Sequence, residues 1–316
     1  MYFCSVKHIF ILNPEAGKKD HSAVIEQQIR SLSSPIDYEL YHIEGAPGTM
    51  RRYVDDYCQT HGEQPLRFYA CGGDGTLKEV ASGLVGHPSA QLACYPCGSG
   101  NDYVKYYGGQ DRFLQLESLI DGEPTPVDIF RVTAATEQGR ETHYSINVVN
   151  FGFDADVCNT MMAVRRKPVI GGRNAYTTGV LHALFHARKN ECRMEVDGQL
   201  MNDQPFLLCT IANGQYVGGA YRCAPRSVND DGMAEICLVS PVSLFQFVRL
   251  VRAYAQGRHL DDPRFAPYIH YRRGSRITLS HPSPFWVTLD GDMIFTTHCE
   301  IEEMQQAVRF VVPKEK

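Results

Sequence analysis

The chain lacks the features that would place it across a membrane, outside the cell or on nucleic acid. None of its uninterrupted apolar runs approaches the roughly 20 residues that a bilayer-spanning helix needs. Residues 1–10 have neither the basic start nor the long apolar centre of a signal peptide. The net charge of −5 argues against a nucleic-acid partner, although a local basic face stays open. We therefore expect a cytoplasmic protein without a transmembrane segment.

Internal repeats and low-complexity segments are missing as well. The composition, with 43% hydrophobic and 21% charged residues, is that of a folded protein, and at 316 residues two domains are the default. Eleven cysteines lie scattered through strand-like and helical stretches, and we interpret them as reduced, small apolar residues. The Cys-x-x-Cys pair of Cys94 and Cys97 has no second pair with which to form a zinc site.

Residues 72–76, Gly-Gly-Asp-Gly-Thr, organise the first half of the chain. Residues 67–71 before them form an apolar run of strand length, and residues 76–85 have helical composition, so the glycines must turn the chain sharply. Glycines let the backbone approach a ligand and the helix directs unpaired N–H groups at it, so this corner suits phosphate. A carboxylate beside phosphates is repulsive, so Asp74 implies Mg²⁺ or proton transfer. The alternative is an ordinary turn in which Asp74 caps the helix.

Strands and helices alternate through the first third of the chain. The predicted strands are 7–12, 38–43, 66–71 and 92–95, and the predicted helices are 22–31, 49–60, 76–85 and 103–107. This order indicates a parallel sheet, whose ligands bind beyond the carboxyl ends of the strands. The loops 13–17 and 72–76 follow such ends and can face one pocket. A third glycine loop, 98–102, follows the fourth strand, and its Asn101 and Asp102 can cap the next helix.

The pattern changes near residue 128, where short β-like runs replace the alternation. These runs are 128–132, 143–149, 192–196, 206–212, 234–239, 276–280 and 286–289. Many strands at turn-separated intervals suggest an antiparallel sandwich. We therefore expect an α/β domain over residues 1–128 and an all-β domain over residues 129–302.

Two amphipathic helices are predicted inside the second half, at 176–188 and 243–255. Arginines and a lysine accompany both helices: Arg165, Arg166, Lys167, Arg173, Arg249, Arg252 and Arg258. Core packing explains the apolar stripes, and solvation explains the charges. The alternative is a basic, apolar-edged surface that rests on an anionic membrane.

Five stretches form a set that runs through nearly the whole chain. They are Asn13-Pro-x-x-Gly17-Lys18, Gly72-Gly-Asp-Gly-Thr-Leu-x-Glu79-Val80, Pro96-x-Gly-Ser-x-Asn-Asp102, Ala212-Asn-Gly-x-Tyr-x-Gly-Gly219 with Asp230-Asp-Gly232, and Leu289-Asp-Gly-Asp292. Together they resemble the bacterial diacylglycerol kinase-like lipid kinases, relatives of eukaryotic diacylglycerol and sphingosine kinases. Gly-Gly-Asp-Gly-Thr alone is shared with NAD kinases and phosphofructokinases, whereas the two late aspartate motifs favour a lipid kinase.

This resemblance implies an α/β nucleotide-binding domain, a β-sandwich lipid-substrate domain, ATP in the cleft between them, and a final segment, 303–316, that returns to the first domain. By the same carry-over, the ATP-binding residues would be Asn13, Gly17, Gly73, Asp74, Gly75, Thr76, Leu77, Lys78, Glu79, Ser99, Asn101 and Asp102. Ser99 stands where the family usually has threonine and keeps the hydroxyl. A further ATP-contacting threonine of the family falls near Ile43, which has no hydroxyl, so that contact is not carried over.

The resemblance also implies a structural metal site. Asp231, with the backbone carbonyls of Val228 and Met233, resembles the family's Mg²⁺ site. An oxygen-only set with few carboxylates suits Mg²⁺ chemically. The alternative is that residues 229–232, Asn-Asp-Asp-Gly, form only a turn.

Phosphoryl transfer requires positioning, neutralisation of phosphate charge and a carboxylate that accepts the proton of the substrate hydroxyl. Asp292 resembles the family's general base, at a position where diacylglycerol kinases more often have glutamate, whose side chain is one methylene longer. Asp74 is the second candidate, because related sphingosine kinases use the matching position. Residues 290–292 also have the composition of a hairpin turn.

The sequence therefore predicts an ATP- and Mg²⁺-dependent kinase that phosphorylates a hydroxyl of diacylglycerol or a similar lipid at the inner face of the membrane. One alternative is an NAD kinase, which shares the glycine corner but continues with an Asn-Glu pair that Asn101 and Asp102 match only in part. Another is a nucleotide-responsive binding protein that has lost catalysis, which the aspartate at position 292 keeps open. Family members often pair, so a homodimer is a further expectation.

Overall fold

The computed structural model describes residues 6–43, 48–62, 64–152 and 191–315. The chain forms two compact units: unit 1 comprises Met1–Ile129 with Met304–Lys316, and unit 2 comprises Phe130–Glu303. The borders of the units fall inside two long strands, β5 (Glu123–Thr136) and β14 (Asp292–Val312). The predicted helix at 176–188, with the basic residues before it, lies outside the described residues.

Unit 1 is built on a parallel sheet. Its strands are β1 (Lys7–Leu12), β2 (Asp37–His42), β3 (Leu66–Gly72) and β4 (Gln91–Pro96). β1 pairs with β2 on one side and β3 on the other, β3 pairs with β4, and the end of β14 adds to β4. The register places Leu12 beside Cys71 and Gly72 beside Pro96. The carboxyl ends of β1, β3 and β4 are therefore level, which brings the loops that follow them to one edge.

The helices of unit 1 follow from apolar residues at helical spacing. They are α1 (Ser22–Arg30), α2 (Thr49–His61), α3 (Asp74–Leu84), α4 (Gln110–Phe113) and α5 (Leu116–Ile120), with a 3-10 helix at Tyr103–Tyr107. α1 buries Ile25 and Ile29, and α2 buries Met50, Val54 and Cys58, so each helix has one apolar side. α3 is buried on most of its surface, which fixes its N-terminus at the end of β3.

Unit 2 consists mainly of antiparallel strands. Besides parts of β5 and β14, these are β6 (Gly139–Ser145), β7 (Val148–Gly152), β8 (Arg193–Val196), β9 (Gln199–Leu200), β10 (Leu208–Ala212), β11 (Ala234–Val239), β12 (Ile269–Gly274) and β13 (Arg276–Leu289). Six strands follow the order β12, β11, β10, β7, β13, β14. One face of these strands forms a core that includes Phe151, Ile211 and Leu289. The predicted fold class, an α/β domain followed by an all-β domain, is confirmed.

Unit 2 also carries α6 (Leu244–Ala255), which begins at a capping box. Ser243 Oγ accepts a hydrogen bond from the N–H of Gln246, and the Gln246 side chain accepts one from the N–H of Ser243. Phe247 and Leu250 pack against the unit. Two 3-10 helices follow, at Arg258–Leu260 and Pro263–Phe265. Within the described ranges, no helix has both the length and the apolar character needed to span a bilayer.

Most predicted elements are confirmed with small shifts at their ends, but several differ, and α4, α5, β9 and β14 were not predicted. The predicted strand 143–149 is two strands, because the N–H groups of Ile146 and Asn147 bond to the side chain of Asp290 at a turn. The two short strands predicted within 276–289 are one strand, β13, with an irregularity in its pairing. β12 was not predicted, since its residues are mostly polar and partly exposed.

All nine cysteines in the described ranges are free and buried. Burial raises the pKa of Cys58, Cys192 and Cys237 to about 12, so these thiols stay protonated at neutral pH. This confirms that the described cysteines act as small apolar residues.

The stability of unit 1 should depend on His8. Its buried Nδ1 is hydrogen-bonded to the Tyr69 hydroxyl at 2.7 Å, and burial, aided by the charge of Arg67, lowers the pKa of His8 from 6.5 to about 4. The unfolded chain takes up this proton near pH 6.5 and the folded chain only near pH 4, so stability is complete above pH 6.5 and falls toward pH 4.

We expect the free energy of opening of β1 and β3, measured by native-state hydrogen exchange, to fall by roughly 2 to 3 kcal/mol between pH 7 and 4.5 through His8. A His8→Gln variant should show a smaller fall, whereas the exposed His61→Gln control should behave as wild type. An equal fall in all three proteins would contradict the assignment.

Candidate functional site

The loops that follow β1, β3 and β4 meet through their backbones. Gly17 has a φ of +76°, and a Cβ built there would lie 2.2 Å from the carbonyl oxygen of Cys97. A Cβ on Gly98 would lie 2.4 Å from the Cα of Gly73. Both distances are shorter than real Cβ contacts, so glycine is required at Gly17 and Gly98. The sequence prediction that these three loops lie together in unit 1 is therefore confirmed.

Asn13 joins the first loop to the second. Its Nδ2 donates to Thr76 Oγ1 at 2.9 Å, and its Oδ1 accepts the N–H of Glu15 at 3.1 Å. The N–H of Asn13 donates to the carbonyl of Cys71 at 3.0 Å. Asn13 thus holds the loop after β1 against the first turn of α3, where the Thr76 side chain is buried.

Asp74 joins the second loop to the third. Its Oδ1 accepts the N–H of Asp102 at 2.7 Å and that of Tyr103 at 3.4 Å. A Cβ on Gly100 would lie 2.8 Å from Asp74 Oδ2, so the third loop passes directly over the carboxylate. Asp74 is the first residue of α3, whose N-cap is Gly73, so Asp74 does not cap α3. Its carboxylate instead binds N–H groups at the start of the next helix.

The third loop is shaped by Asn101, whose φ is +50°. Its Oδ1 accepts the N–H of Gly98 at 3.0 Å, and its Nδ2 donates to the carbonyl of Gly98 at 2.8 Å. The predicted helix cap by the side chain of Asp102 is wrong, because no such bond forms and Asp74 supplies the acceptor. Asp102 instead pairs with Lys105 at 2.6 Å. Ser99 is exposed on this loop.

Glu79 on α3 has an unmet polar atom. Its Oε2 is buried and has no hydrogen-bond partner among the described residues. Buried carboxylate oxygens nearly always accept a hydrogen bond, so this oxygen could accept one from a bound molecule. Leu77 and Lys78 are buried, and the N–H of Leu77 already donates to the carbonyl of Gly73. The side chain of Leu77 therefore contributes packing.

In unit 2, the late Asp-Gly-Asp stretch forms a two-residue hairpin turn between β13 and β14. Leu289 pairs with Asp292, and Asp290 and Gly291 have φ values of +50° and +97°. Two consecutive positive φ values are the signature of a type I′ turn. Asp292 is exposed as the first residue of β14. The hairpin interpretation is confirmed, and it leaves the Asp292 side chain at an exposed strand end.

Asp290 is a structural centre that the sequence reasoning missed. Its Oδ1 accepts the N–H groups of Asn147 at 3.1 Å and Val148 at 2.7 Å, and the Ser145 hydroxyl at 2.9 Å. Its Oδ2 accepts the N–H of Ile146 at 2.8 Å. These donors come from one turn, which fixes the hairpin in place. The only sequence signal was an aspartate at a position where a type I′ turn also accepts asparagine or glycine.

The fourth motif, residues 212–219, is tied to the same turn. The carbonyl of Asn147 accepts the N–H groups of Asn213 at 2.9 Å and Gly214 at 3.1 Å. The Nδ2 of Asn147 donates to the carbonyl of Tyr216 at 3.0 Å. Two motifs that are far apart in the sequence, 212–219 and the Asp290 hairpin, therefore meet at Asn147 within unit 2.

Asp231 has a protein partner at each carboxylate oxygen. Oδ2 pairs with the guanidinium of Arg273 on β12, and Oδ1 accepts the N–H of Met233 at 3.1 Å. The set of Asp231 with the carbonyls of Val228 and Met233 is chemically suited to Mg²⁺, since all donors are oxygens. A cation there would compete with Arg273. In the described ranges no group of three His, Cys, Asp or Glu side chains is placed to hold a metal.

Replacing one carboxylate oxygen of Asp290 should lower the stability of unit 2. In Asp290→Asn an amide NH₂ replaces one acceptor oxygen, so an acceptor for a buried N–H is lost and the free energy of unfolding falls by about 1 to 3 kcal/mol. Urea unfolding followed by the fluorescence of Trp286, the single tryptophan, measures this change. The exposed Asp203→Asn control should match wild type, and equal stability of the two variants would rule out the anchor role.

Residues 7–132 match the model of the diacylglycerol kinase catalytic domain, and residues 147–312 match that of the YegS C-terminal NAD kinase beta sandwich-like domain. A diacylglycerol kinase of Bacillus subtilis (strain 168) is 28% identical over 253 residues, 78% of either chain. A Shewanella frigidimarina (strain NCIMB 400) protein named "Probable lipid kinase YegS-like" is 26% identical over 302 residues, 94% of this chain and 92% of its own. A crystal structure of a diacylglycerol kinase from Bacillus anthracis str. Sterne has the same fold, with a TM-score of 0.67 at 19% identity over 99% of this chain and 98% of that one. The chain therefore belongs to the family of diacylglycerol kinase-like and YegS-like lipid kinases, as its motifs indicate.

Proposed function

We propose that the protein transfers the γ-phosphate of ATP to a hydroxyl of a membrane lipid, diacylglycerol or one similar to it. The observation that carries this proposal is the contact of three glycine loops at the carboxyl ends of neighbouring parallel strands. Gly17, Gly73 and Gly98 bring the loop backbones close together, and the start of α3 lies among them. Membership in a lipid kinase family supplies the class of acceptor.

The ATP site would lie at these loops. The first N–H groups of α3 have no intrahelical acceptor and, with the helix dipole, favour a phosphate at Gly73, Gly75 and Thr76. The exposed Ser99 hydroxyl adds a donor from the third loop. The Oε2 of Glu79, which has no hydrogen-bond partner among the described residues, can accept a hydrogen bond from a ribose hydroxyl. Asn13 and Asn101 act indirectly, because their amides hold the loops.

Asp292 is the better candidate for the base. The Oδ1 of Asp74 is committed to the N–H groups of Asp102 and Tyr103, and protonating it would weaken the attachment of the third loop. Asp292 is exposed at the start of β14, on a hairpin that Asp290 holds in place. We assign proton acceptance from the lipid hydroxyl to Asp292 and loop positioning to Asp74.

Mg²⁺ bound with ATP would neutralise charge on the phosphates. A second, structural Mg²⁺ would be held by Asp231 and the carbonyls of Val228 and Met233, once Arg273 has left the carboxylate.

The protein would associate peripherally with the inner face of the membrane and take up its lipid substrate there. Two copies of the chain would form a homodimer.

The proposed reaction can be tested with purified full-length protein, γ-labelled ATP, Mg²⁺ and lipids dispersed in detergent micelles. We expect label in diacylglycerol or a related lipid and none in NAD. Transfer to NAD would instead identify an NAD kinase. ATP binding without transfer to any acceptor would favour a binding protein that has lost catalysis.

The two aspartates should give different kinetic results. Asp292→Asn should lower kcat by about 10² to 10⁴ with little change in the KM for ATP, because only proton transfer is lost. Asp74→Asn should mainly raise the KM for ATP, because the third loop loses its anchor. Asp203→Asn, an exposed carboxylate elsewhere in unit 2, is the control. A larger fall in kcat for Asp74→Asn than for Asp292→Asn would reverse the assignment.

If Asp231 binds Mg²⁺, the ion pair of Arg273 with Asp231 should weaken Mg²⁺ binding. This ion pair competes with Mg²⁺, so Arg273→Gln should tighten Mg²⁺ binding without nucleotide by about two- to fivefold, as measured by calorimetry. Arg272→Gln on the same strand is the matched control. Unchanged Mg²⁺ binding in Asp231→Asn would show that the metal binds elsewhere.

A further inference from the structure

One side of α6 exposes three large apolar side chains. Phe245 is 75% exposed, Val248 67% and Leu244 40%. Only eight large apolar side chains are exposed in the described residues, and these three lie within five positions of each other, with the two highest values among them. Scattered single exposed residues are normal, whereas a cluster marks an interaction surface.

α6 is packed firmly against unit 2, so loose attachment of the helix does not explain the exposure of these side chains. Phe247 and Tyr254 pack against β10, β11 and β12, and Leu250 and Ala253 pack against Phe265. The capping box at Ser243 fixes the start of the helix. α6 therefore holds its outer face in one orientation, with Phe245, Val248, Arg249 and Arg252 at the i, i+3, i+4 and i+7 positions of that face.

The charge of this face is opposite to that of the whole protein. The chain has a net charge of −5, yet residues 236–260 contain three arginines and no aspartate or glutamate. Arg249 and Arg252 are both exposed on this face. Exposed apolar side chains flanked by exposed arginines on a helix are the combination that binds an anionic lipid surface.

We propose that this outer face of α6, formed by Leu244, Phe245, Val248, Arg249 and Arg252, is the surface that docks the protein on an anionic lipid bilayer. The apolar side chains enter the boundary between headgroups and acyl chains, while the two guanidinium groups bind lipid phosphates. The proposal rests on the proposed function only in that the bilayer also supplies the lipid substrate.

A second copy of the chain fits this surface less well. A stable dimer interface takes about 20 to 30 residues from each partner, whereas this face is formed by five residues. Two-fold symmetry would also place the same five residues on both sides of the interface, so neither side of the face would supply a carboxylate for the arginines. An anionic bilayer compensates these charges instead.

The experiment is sedimentation of the full chain with vesicles of phosphatidylcholine, with or without phosphatidylglycerol. Wild type should bind only the anionic vesicles, and less at high salt. The double variant Phe245→Ser/Val248→Ser should bind about tenfold more weakly, because two apolar side chains no longer enter the bilayer. Arg249→Gln/Arg252→Gln should lose about fivefold per arginine and most of the salt dependence.

Two controls match these changes on other surfaces. Leu200→Ser removes an apolar side chain that is 47% exposed, and Arg52→Gln/Arg309→Gln removes two exposed arginines. Both controls should bind vesicles as wild type does. Activity on lipid in detergent micelles should be unchanged in every variant. The micelle assay therefore tests the proposed reaction, and vesicle sedimentation tests docking.

Two results would overturn the proposal. One is equal vesicle binding by wild type and both α6 variants. The other is a wild-type dimer in gel filtration that Phe245→Ser/Val248→Ser converts to a monomer without any change in vesicle binding, which would make this face an interface between copies.

Discussion

Direct contact between loop backbones at glycine positions is the constraint on which the loop end of unit 1 depends. Gly17 lies against the carbonyl of Cys97, and Gly73 lies against Gly98, at distances that leave no room for a Cβ. These contacts exist because the parallel register makes the ends of three strands level. Asp74 then fixes the third loop by accepting N–H groups from it. We propose that the triphosphate binds where these loops meet, because the first N–H groups of α3 have no intrahelical acceptor.

Unit 2 uses a half-buried carboxylate for a similar purpose. Asp290 accepts hydrogen bonds from one turn and thereby sets the position of the hairpin that carries Asp292. Four aspartates of the motifs thus have separate tasks in the proposed mechanism. Asp74 and Asp290 organise loops, Asp231 pairs with Arg273, and the exposed Asp292 is assigned proton acceptance. A carboxylate already occupied by N–H donors is a poor base, because its hydrogen bonds favour the ionised form.

The sequence was informative wherever a structure depends on local features. β1, β3 and β4 are apolar runs followed by glycine loops, so the parallel sheet and the meeting of these loops at one edge could be predicted. Features that depend on contacts between distant residues could not be predicted. The predicted cap by Asp102 failed because Asp74, 28 residues earlier, binds that helix start. The break within 143–149 depends on the distant Asp290. β12 consists mostly of polar, partly exposed residues, so its sequence lacks the apolar pattern by which a strand is predicted.

The central claim is that the three glycine loops bind the triphosphate of ATP. Hydrogen exchange of the full chain with and without saturating ATP, followed by mass spectrometry of peptides, tests it most directly. The account predicts slower exchange in residues 13–17, 72–77 and 98–102, since their N–H groups either bind phosphate or become shielded from water. Saturating ATP that protects other segments and leaves these three unchanged would contradict it.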